Sequence, residues 1–304
     1  MTENGMAGKS VQFSLILPAK NEGPGLQKLL PKLIRGYPCA EIIVVNDGST
    51  DDTREICHRF PVILISHPYS MGNGSAIKTG ARHASHDRIV FMDADGQHNP
   101  DDISRLLAKM DEGYEMVVGA RQASSHASYW RRLANVTYNT LASVMTGYQV
   151  QDLTSGFRVA RARHFRKFLY LLPNGFSYPT TSTMAFFRSG MPVGYIPIQA
   201  AQREGKSHIR PFRDGSRFLV IILKIGALFS PMRLFLPIAT GLFGTGICYY
   251  IYTYFSTGRF TNMSALLLTA SLLTFLIGLL SEQISSLHYK EVQEDVRRTL
   301  RDNE

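Results

Sequence analysis

Two apolar runs near the C-terminus, residues 234–255 and 263 to about 280, limit this chain more than any other feature, because only the linker STGRFTN separates them. The first run offers about 22 mostly apolar positions. As a helix rising roughly 1.5 Å per residue it reaches about 33 Å, enough to cross a bilayer. The second run completes a helical hairpin, and its polar C-terminal end is expected near the lipid headgroups. The linker carries one basic residue, Arg259. Basic residues cluster on both outer flanks, from Arg210, Arg213, Arg217, Lys224 and Arg233 to Lys290, Arg297, Arg298 and Arg301. The positive-inside rule then puts both ends in the cytosol. Residues 218–229 are nearly all apolar but too short to span, contain Lys224, and close at Ser230-Pro231. This pattern predicts a helix lying in the membrane interface. A buried core hairpin is the alternative, and length and flanking charge argue against it.

The net charge of +9 permits nucleic acid, an anionic membrane surface or a phosphorylated ligand as partner. No basic stretch is interleaved with aromatics as a base-stacking platform requires. Membrane therefore ranks first, and no nucleic-acid partner is expected. Cys39, Cys57 and Cys248 are too far apart for a disulfide framework or a zinc site, which fits a reducing compartment. Residues 1–11 read as a flexible polar tail without the apolar core of a cleaved secretory signal.

Residues 12–120 repeat a strand, loop, helix rhythm. FSLIL (13–17), EIIVV (41–45), VILIS (62–66), RIVFMD (88–93) and EMVVG (115–119) are apolar enough to be strands buried on both faces. Helices are expected at about 22–35, 51–59, 74–84 and 101–112. The fold class is α/β, a mostly parallel sheet with helices on both faces. Further helices are predicted at roughly 128–146 and 161–171, followed by a Pro/Gly-punctuated stretch over 172–216 that shapes the acceptor side. In open sheets of this kind ligands bind at the carboxyl ends of the strands, so the loops there carry the chemistry.

FMDADGQHNPDDI (91–103) is the most informative of these loops. Asp93, Asp95 and Gln97 alternate after a buried strand. Hard divalent cations such as Mg2+ or Mn2+ take oxygen from one or two carboxylates and complete their shells with water and substrate phosphate. Alone, DADG reads as a turn, but the other strand ends are equally decorated. LPAKNE (17–22) offers Asn21 and Glu22 to a nucleobase or to the next helix. VVNDGSTDDT (44–53) supplies Asp47 for base or ribose hydroxyls and capping residues at 49–52. The glycines of MGNGSAIKTGAR (71–82) let backbone approach a ligand or make a turn. Gly8-Lys9-Ser10 lacks the spacing of a phosphate loop, and His83 with His86 lacks an acidic co-ligand.

In this order the segments resemble the family-2 glycosyltransferases of GT-A (Rossmann-like) fold, within them the dolichyl-phosphate mannosyltransferase and bacterial polyprenyl-phosphate glycosyltransferase group. The resemblance covers residues 12 to about 210, and the hairpin is similar to that of members with their own anchor. It implies that Asp95 and Gln97 hold the metal and that Pro18, Glu22, Asp47 and Asp93 hold the nucleotide. VGAR (118–121) implies Arg121 near the acceptor phosphate, and QDLTSGFR (151–158) implies Asp152 at the transfer site. REGKSH (203–208) implies Arg203 and Ser207 closing over the donor diphosphate. SYWRRL offers two adjacent arginines, Arg131 and Arg132, as candidates to face the acceptor, and the sequence does not choose between them. Asn46 and His208 depart from the family's Asp and Lys.

The implied organisation is a cytosolic catalytic domain at 12–212, a juxtamembrane amphipathic helix at 213–232, two transmembrane helices within 233–284 and a cytosolic tail at 285–304. The implied reaction is inverting, metal-dependent transfer of a sugar from a nucleotide diphosphate donor to a polyprenyl phosphate, at the cytosolic face of a bacterial inner membrane. A homo-oligomer is compatible with the sequence. Two alternatives stand beside it. One is transfer to another lipid or glycan acceptor; the processive class usually carries an Arg-Trp pair, whereas the single tryptophan here, Trp130, follows Tyr129. The other is a catalytically inactive membrane-bound protein that only binds nucleotide sugar, whose signature would be a broken Asp95 or Gln97.

Overall fold

The strands predicted from their apolar runs are present and join in one sheet of order β3-β2-β1-β4-β6-β5-β7. The structure is a computed structural model that describes residues 12–121, 129–175, 177–199, 227 and 229–301. The elements are β1 Ser14–Ala19, α1 Gly23–Gly36, β2 Glu41–Asn46, α2 Thr53–Cys57, β3 Ile63–Ser66, α3 Asn73–His83, β4 Arg88–Phe91, α4 Asp102–Met110, β5 Met116–Arg121, α5 Tyr129–Thr146, β6 Arg158–Arg161, α6 Ala162–Lys167, α7 Tyr178–Arg188 and β7 Val193–Ile198. Two long helices follow, α8 Pro231–Thr257 and α9 Asn262–Arg301. The chain forms two compact units. One comprises 1–139 with 150–206, and the other 140–149 with 207–304.

In the first unit β1 pairs in parallel with β2 and β4, β2 with β3, and β5 with β7, while β6 runs antiparallel to both β4 and β5. Strands buried on both faces need apolar side chains on both sides, and Leu15, Ile16, Leu17, Ile43, Val44, Val45, Ile89, Val90 and Val117 supply them with no exposed surface. Helices present matching stripes. In α1, Leu26, Leu29, Leu30 and Leu33 recur at helical spacing, and in α4 Ile103, Leu106, Leu107 and Met110 do the same. Both sets pack into one core with Phe13, Met92 and Phe157.

The region after residue 150 is more regular than its sequence suggests. β6 reads RVAR, with two arginines in four residues, and therefore lacks an apolar strand pattern. The stretch 172–216, read from the sequence only as Pro/Gly-punctuated, contains α7 and β7. Helix α7 carries three threonines and a serine, poor helix formers, yet buries ten residues so that packing overrides propensity. Strand β7 carries Gly194 and Pro197, which obscure its alternation; Pro197 sits on an edge strand, where proline is tolerated.

In the second unit α8 and α9 form the hairpin, and each is long and apolar enough to cross a membrane: Pro231–Ser256 at mean hydropathy 1.6 and Asn262–Leu287 at 2.2. Leu236, Phe243, Phe255, Leu266, Leu272, Leu280 and Leu287 are all exposed. Water does not tolerate an apolar face of this extent, whereas lipid does. Small residues bring the helices together. A Cβ on Gly278 would stand 2.7 Å from Phe235, one on Gly246 would press on Leu267 and Leu268, and Ser271 donates to the Ala239 carbonyl at 2.8 Å. Glu282 accepts the Met232 N–H at 3.2 Å, levelling the start of α8 with the late turns of α9. Ser230 and Arg233 bond the carbonyls of Met145 and Val144 at the end of α5. Helix α9 continues through 285–301, the predicted tail, because the apolar run ends there but helix-forming residues do not. The predicted N-terminal tail, Gly8-Lys9-Ser10 and most of the juxtamembrane helix lie outside the described residues.

Candidate active site

The parallel strands of the first unit all end on one edge, and from β1 the chain steps outward to β2 and β3 before returning to β4 on the other side. That reversal between β1 and β4 is the topological switch point at which open α/β sheets bind ligands. The loops after β1, β2, β4 and β5 and the segment before β6 carry the candidate residues.

The β1 and β2 loops lock together. Asn21 takes a left-handed conformation, φ 56°, which asparagine tolerates. Its side-chain oxygen accepts the Thr50 N–H at 2.8 Å, and its own N–H donates to Ser49 Oγ at 2.9 Å. Glu22 N–H donates to Thr53 Oγ1 at 3.1 Å, and Gly23 N–H donates to Asp51 Oδ2 at 3.1 Å. Asp51 also accepts the Thr53 N–H, so one carboxylate caps the starts of α1 and α2. Glu22 occupies the N-cap position of α1 without a side-chain cap bond, and Pro18 lies within β1 opposite Val45. Asn46 is buried, and its side-chain oxygen accepts the Ser49 N–H at 3.0 Å, three residues on.

Asp47 is 3% exposed and fully engaged. Oδ1 pairs with His67 Nδ1 at 2.8 Å and accepts the Met71 N–H at 2.8 Å; Oδ2 accepts Ser70 Oγ–H and the Gly72 N–H, both at 2.9 Å. An aspartate offers about four acceptor positions, so in this conformation Asp47 orders the loop between β3 and α3. Burial raises its pKa, but the His67 contact and the loop donors outweigh it and hold the carboxyl below the ordinary range. A cleft of about 560 Å3 opens beside this network, lined among others by Asn46, Ser49, Arg54, Ser66 and His67.

The glycines before α3 admit the chain's own backbone. Gly74 and Ser75 donate their N–H groups to the carbonyls of Gly175 and Asn174, and a Cβ on Gly74 would lie 1.9 Å from the Pro173 oxygen. The helix start is thus already capped, and Lys78 bonds the Leu172 carbonyl over the same segment at 3.1 Å.

Beyond β4, Asp93 lies 3.8 Å from His98 Nε2, and His98 stacks on Phe157 with centroids 4.9 Å apart. A Cβ on Gly156 would come 2.9 Å from Asp93 Oδ2, so only glycine lets the 152–157 loop sit this close. Asp95 accepts the Gln97 N–H at 3.2 Å, and no basic side chain among the described residues pairs with it. Both Asp95 and Gln97 are half-buried. Among the described residues no three His, Cys, Asp or Glu side chains converge. The expected donors, the Asp95 carboxylate and the Gln97 amide oxygen, are of the hard type that a divalent cation takes together with phosphate and water.

At the end of β5, Arg121 meets Asp152. Nε donates to Oδ2 at 2.8 Å, Nη2 to Oδ1 at 3.1 Å, and the Arg121 backbone N–H to Oδ2 at 3.2 Å. Thr154 and Ser155 donate backbone N–H groups to Oδ1 as well. Burial pushes the Asp152 pKa up, but the Arg121 bond and charge and these donors prevail and hold it down. A carboxylate so occupied orients Arg121 and is a poor proton acceptor.

Loop contacts thus join Asn21 and Glu22 with residues 49–53, and the 152–157 loop joins Asp93 with Arg121 and Asp152. Arg203 and Ser207, and the side chains of Arg131 and Arg132, lie outside the described residues. Sequence reasoning passed over His67, His98, Ser155 and Arg158. His98 and Arg158 stood within the quoted segments DADGQH and SGFR, whereas nothing local marked His67.

Over residues 14–169 the chain matches glycosyl transferase family 2, and over 230–287 the GtrB C-terminal hairpin. These matches make it a glycosyltransferase with an apolar hairpin. The chain belongs to glycosyltransferase family 2. It is 31% identical over 209 residues to the undecaprenyl-phosphate 4-deoxy-4-formamido-L-arabinose transferase of Edwardsiella ictaluri, covering 64% of this chain and 62% of that relative's length. It is 27% identical over 205 residues to the polyprenol monophosphomannose synthase of Mycolicibacterium smegmatis, covering 62% and 77%. Glucosyl-3-phosphoglycerate synthase from Mycobacterium tuberculosis, solved with Mn2+, uridine-diphosphate and glucosyl-3-phosphoglycerate, shares the fold. Its TM-score is 0.55 at 19% identity, over 70% of this chain and 77% of that one.

Proposed function

We propose that this glycosyltransferase moves a sugar from a nucleoside diphosphate sugar to a polyprenyl phosphate, with inversion at the anomeric carbon. An oxygen of the lipid phosphate attacks that carbon, the bond to the diphosphate breaks, and the nucleoside diphosphate leaves with the bonding electrons. Arg121, oriented by Asp152 and close to the loop of Asp93, is the observation that carries this reading. Among the described residues no acceptor takes its Nη1, which leaves that group for an anion, and the guanidinium stays charged at any working pH, which suits two phosphate-bearing substrates that otherwise repel. Phosphate is already ionised at neutral pH, so the acceptor needs no general base, in keeping with the occupied carboxylate of Asp152. Asp95 and Gln97 would hold Mg2+ or Mn2+, which when bound offsets the charge that develops on the departing diphosphate.

The names of the two curated relatives, one an undecaprenyl-phosphate transferase and one a polyprenol monophosphomannose synthase, support the acceptor. The cleft beside Asp47 is of the right size for a nucleoside. Catalysis is assigned to residues 12–212 on the cytosolic face of a bacterial inner membrane, with Pro18, Glu22, Arg203 and Ser207 toward the donor. Residues 213–232 would lie in the interface, 233–284 would span, and 285–304 would return to the cytosol. Membranes containing the protein, given a panel of radiolabelled nucleotide sugars and undecaprenyl phosphate, should yield label in the lipid extract with one donor. Labelling of neutral undecaprenol instead would overturn the phosphate acceptor.

A further inference from the structure

Arg158 opens β6 and heads the fully buried side chains by size, with no exposed surface. Its backbone pairs with Phe91 on one side and Val118 on the other, two residues short of Asp93 and three short of Arg121. No carboxylate among the described residues pairs with its guanidinium. Its donors go to neutral acceptors: Nε and Nη2 to the Ser155 carbonyl, and Nη1 to the Pro179 carbonyl at 2.8 Å and the hydroxyls of Ser182 and Thr183 at 2.9 Å each. The Tyr178 ring lies 5.8 Å from the guanidinium carbon, and the Tyr178 hydroxyl donates to the Gly156 carbonyl at 3.0 Å.

Burying a cation without a counter-charge is costly, and an apolar side chain of similar volume commonly stabilises a fold as well or better. Stability alone therefore does not account for arginine here. Its bonds do two other things. They tie the 152–156 loop, which holds Asp152 and presses Gly156 on Asp93, to the start of α7. They also set a guanidinium without a paired carboxylate against the loop that carries Asp152 and, at Gly156, meets Asp93.

We infer that Arg158 is a positioning residue for transfer: it fixes the 152–156 loop, and with it Arg121, and directs a buried positive charge toward the place where donor diphosphate and acceptor phosphate meet. This inference rests on the two-phosphate reading above.

The test compares Arg158→Lys and Arg158→Met in the full-length protein in nanodiscs, using undecaprenyl phosphate and the donor selected by the panel. Lysine keeps the charge but cannot serve Ser155 and α7 together. Methionine keeps the bulk and drops the charge. The expected order of kcat is wild type, then lysine lower by about tenfold, then methionine lower by about a hundredfold, with donor KM within about threefold throughout. Thermal unfolding is measured alongside. A methionine variant with kcat within about threefold of wild type overturns the inference. So does a loss in the lysine variant that merely follows its thermal instability and vanishes on cooling. If methionine fails to fold, the lysine comparison alone decides on these criteria. If wild type itself labels only a neutral lipid, the acceptor reading falls, and unchanged kcat of both variants on that lipid would overturn the role of Arg158 separately.

Discussion

Arg121 and Asp152 share one clamp in which the guanidinium and the backbone N–H of the same arginine bind the same carboxylate. The end of β5 and the direction of its side chain are thereby fixed together. Asp152→Asn keeps the shape but turns one acceptor into a donor facing Arg121. Losing a charge-assisted contact of this kind corresponds to about ten- to a hundredfold. We expect kcat to fall by that amount while nucleotide-sugar binding, followed by calorimetry, holds. A pH profile unchanged in shape in this variant distinguishes positioning from proton transfer.

Arg121→Ala should raise the KM for undecaprenyl phosphate by about ten- to a hundredfold with little effect on donor binding. Varying each substrate in turn at steady state separates the two. Unchanged lipid kinetics would remove Arg121 from the acceptor site.

Asp95→Asn is expected to abolish transfer without loss of folding or membrane insertion, because one of few hard oxygen donors is gone. Chelator should silence the wild type, and excess Mn2+ should restore it. Activity insensitive to both would exclude metal-dependent chemistry at this loop.

Asp47 and Asp152 both have folded pKa values below their unfolded ones. Such groups contribute stability that is complete above the unfolded value, about 3.9, and is lost as pH falls through the folded values. Thermal unfolding in detergent should therefore weaken steeply below about pH 4. Asp47→Asn, which leaves buried loop donors poorly matched, should lower stability at pH 7 by about 1–3 kcal/mol and flatten that acid dependence. Equal acid sensitivity in the variant would count against Asp47.

If the hairpin spans with both ends cytosolic, Arg259→Cys should react with an impermeant thiol reagent only from the outer side. Labelling from the cytosolic side would reverse the orientation.

Much of the fold was legible in the sequence because the strands announce themselves by runs such as EIIVV, and the loop proposed to hold the metal stands out as DADGQ. The remainder depends on tertiary partners. Asp47 stands just beyond β2 as expected, but no local pattern places around it the four donors from residues 67–72 that it gathers. LPAKNE left Asn21 and Glu22 open to a nucleobase or to the next helix, and no local pattern announced that the Asn21 side chain and the Glu22 backbone N–H would meet residues 49–53. Arg158 in RVAR hid a strand because a charged residue normally argues for solvent, and only the ring of carbonyls and hydroxyls from α7 and Ser155 makes its burial tolerable.

The reversed direction of β6 decides which part of the chain can reach the chemistry. A parallel strand delivers its exit loop to the carboxyl edge; an antiparallel one delivers its entrance. Had β6 run with its neighbours, its four residues at about 3.3 Å each would have carried the preceding segment roughly 13 Å away, to the far edge of the sheet. Reversal instead brings residues 152–157 against Asp93 and Arg121, so a single inverted strand lets a late stretch of sequence join side chains set in place by earlier strands.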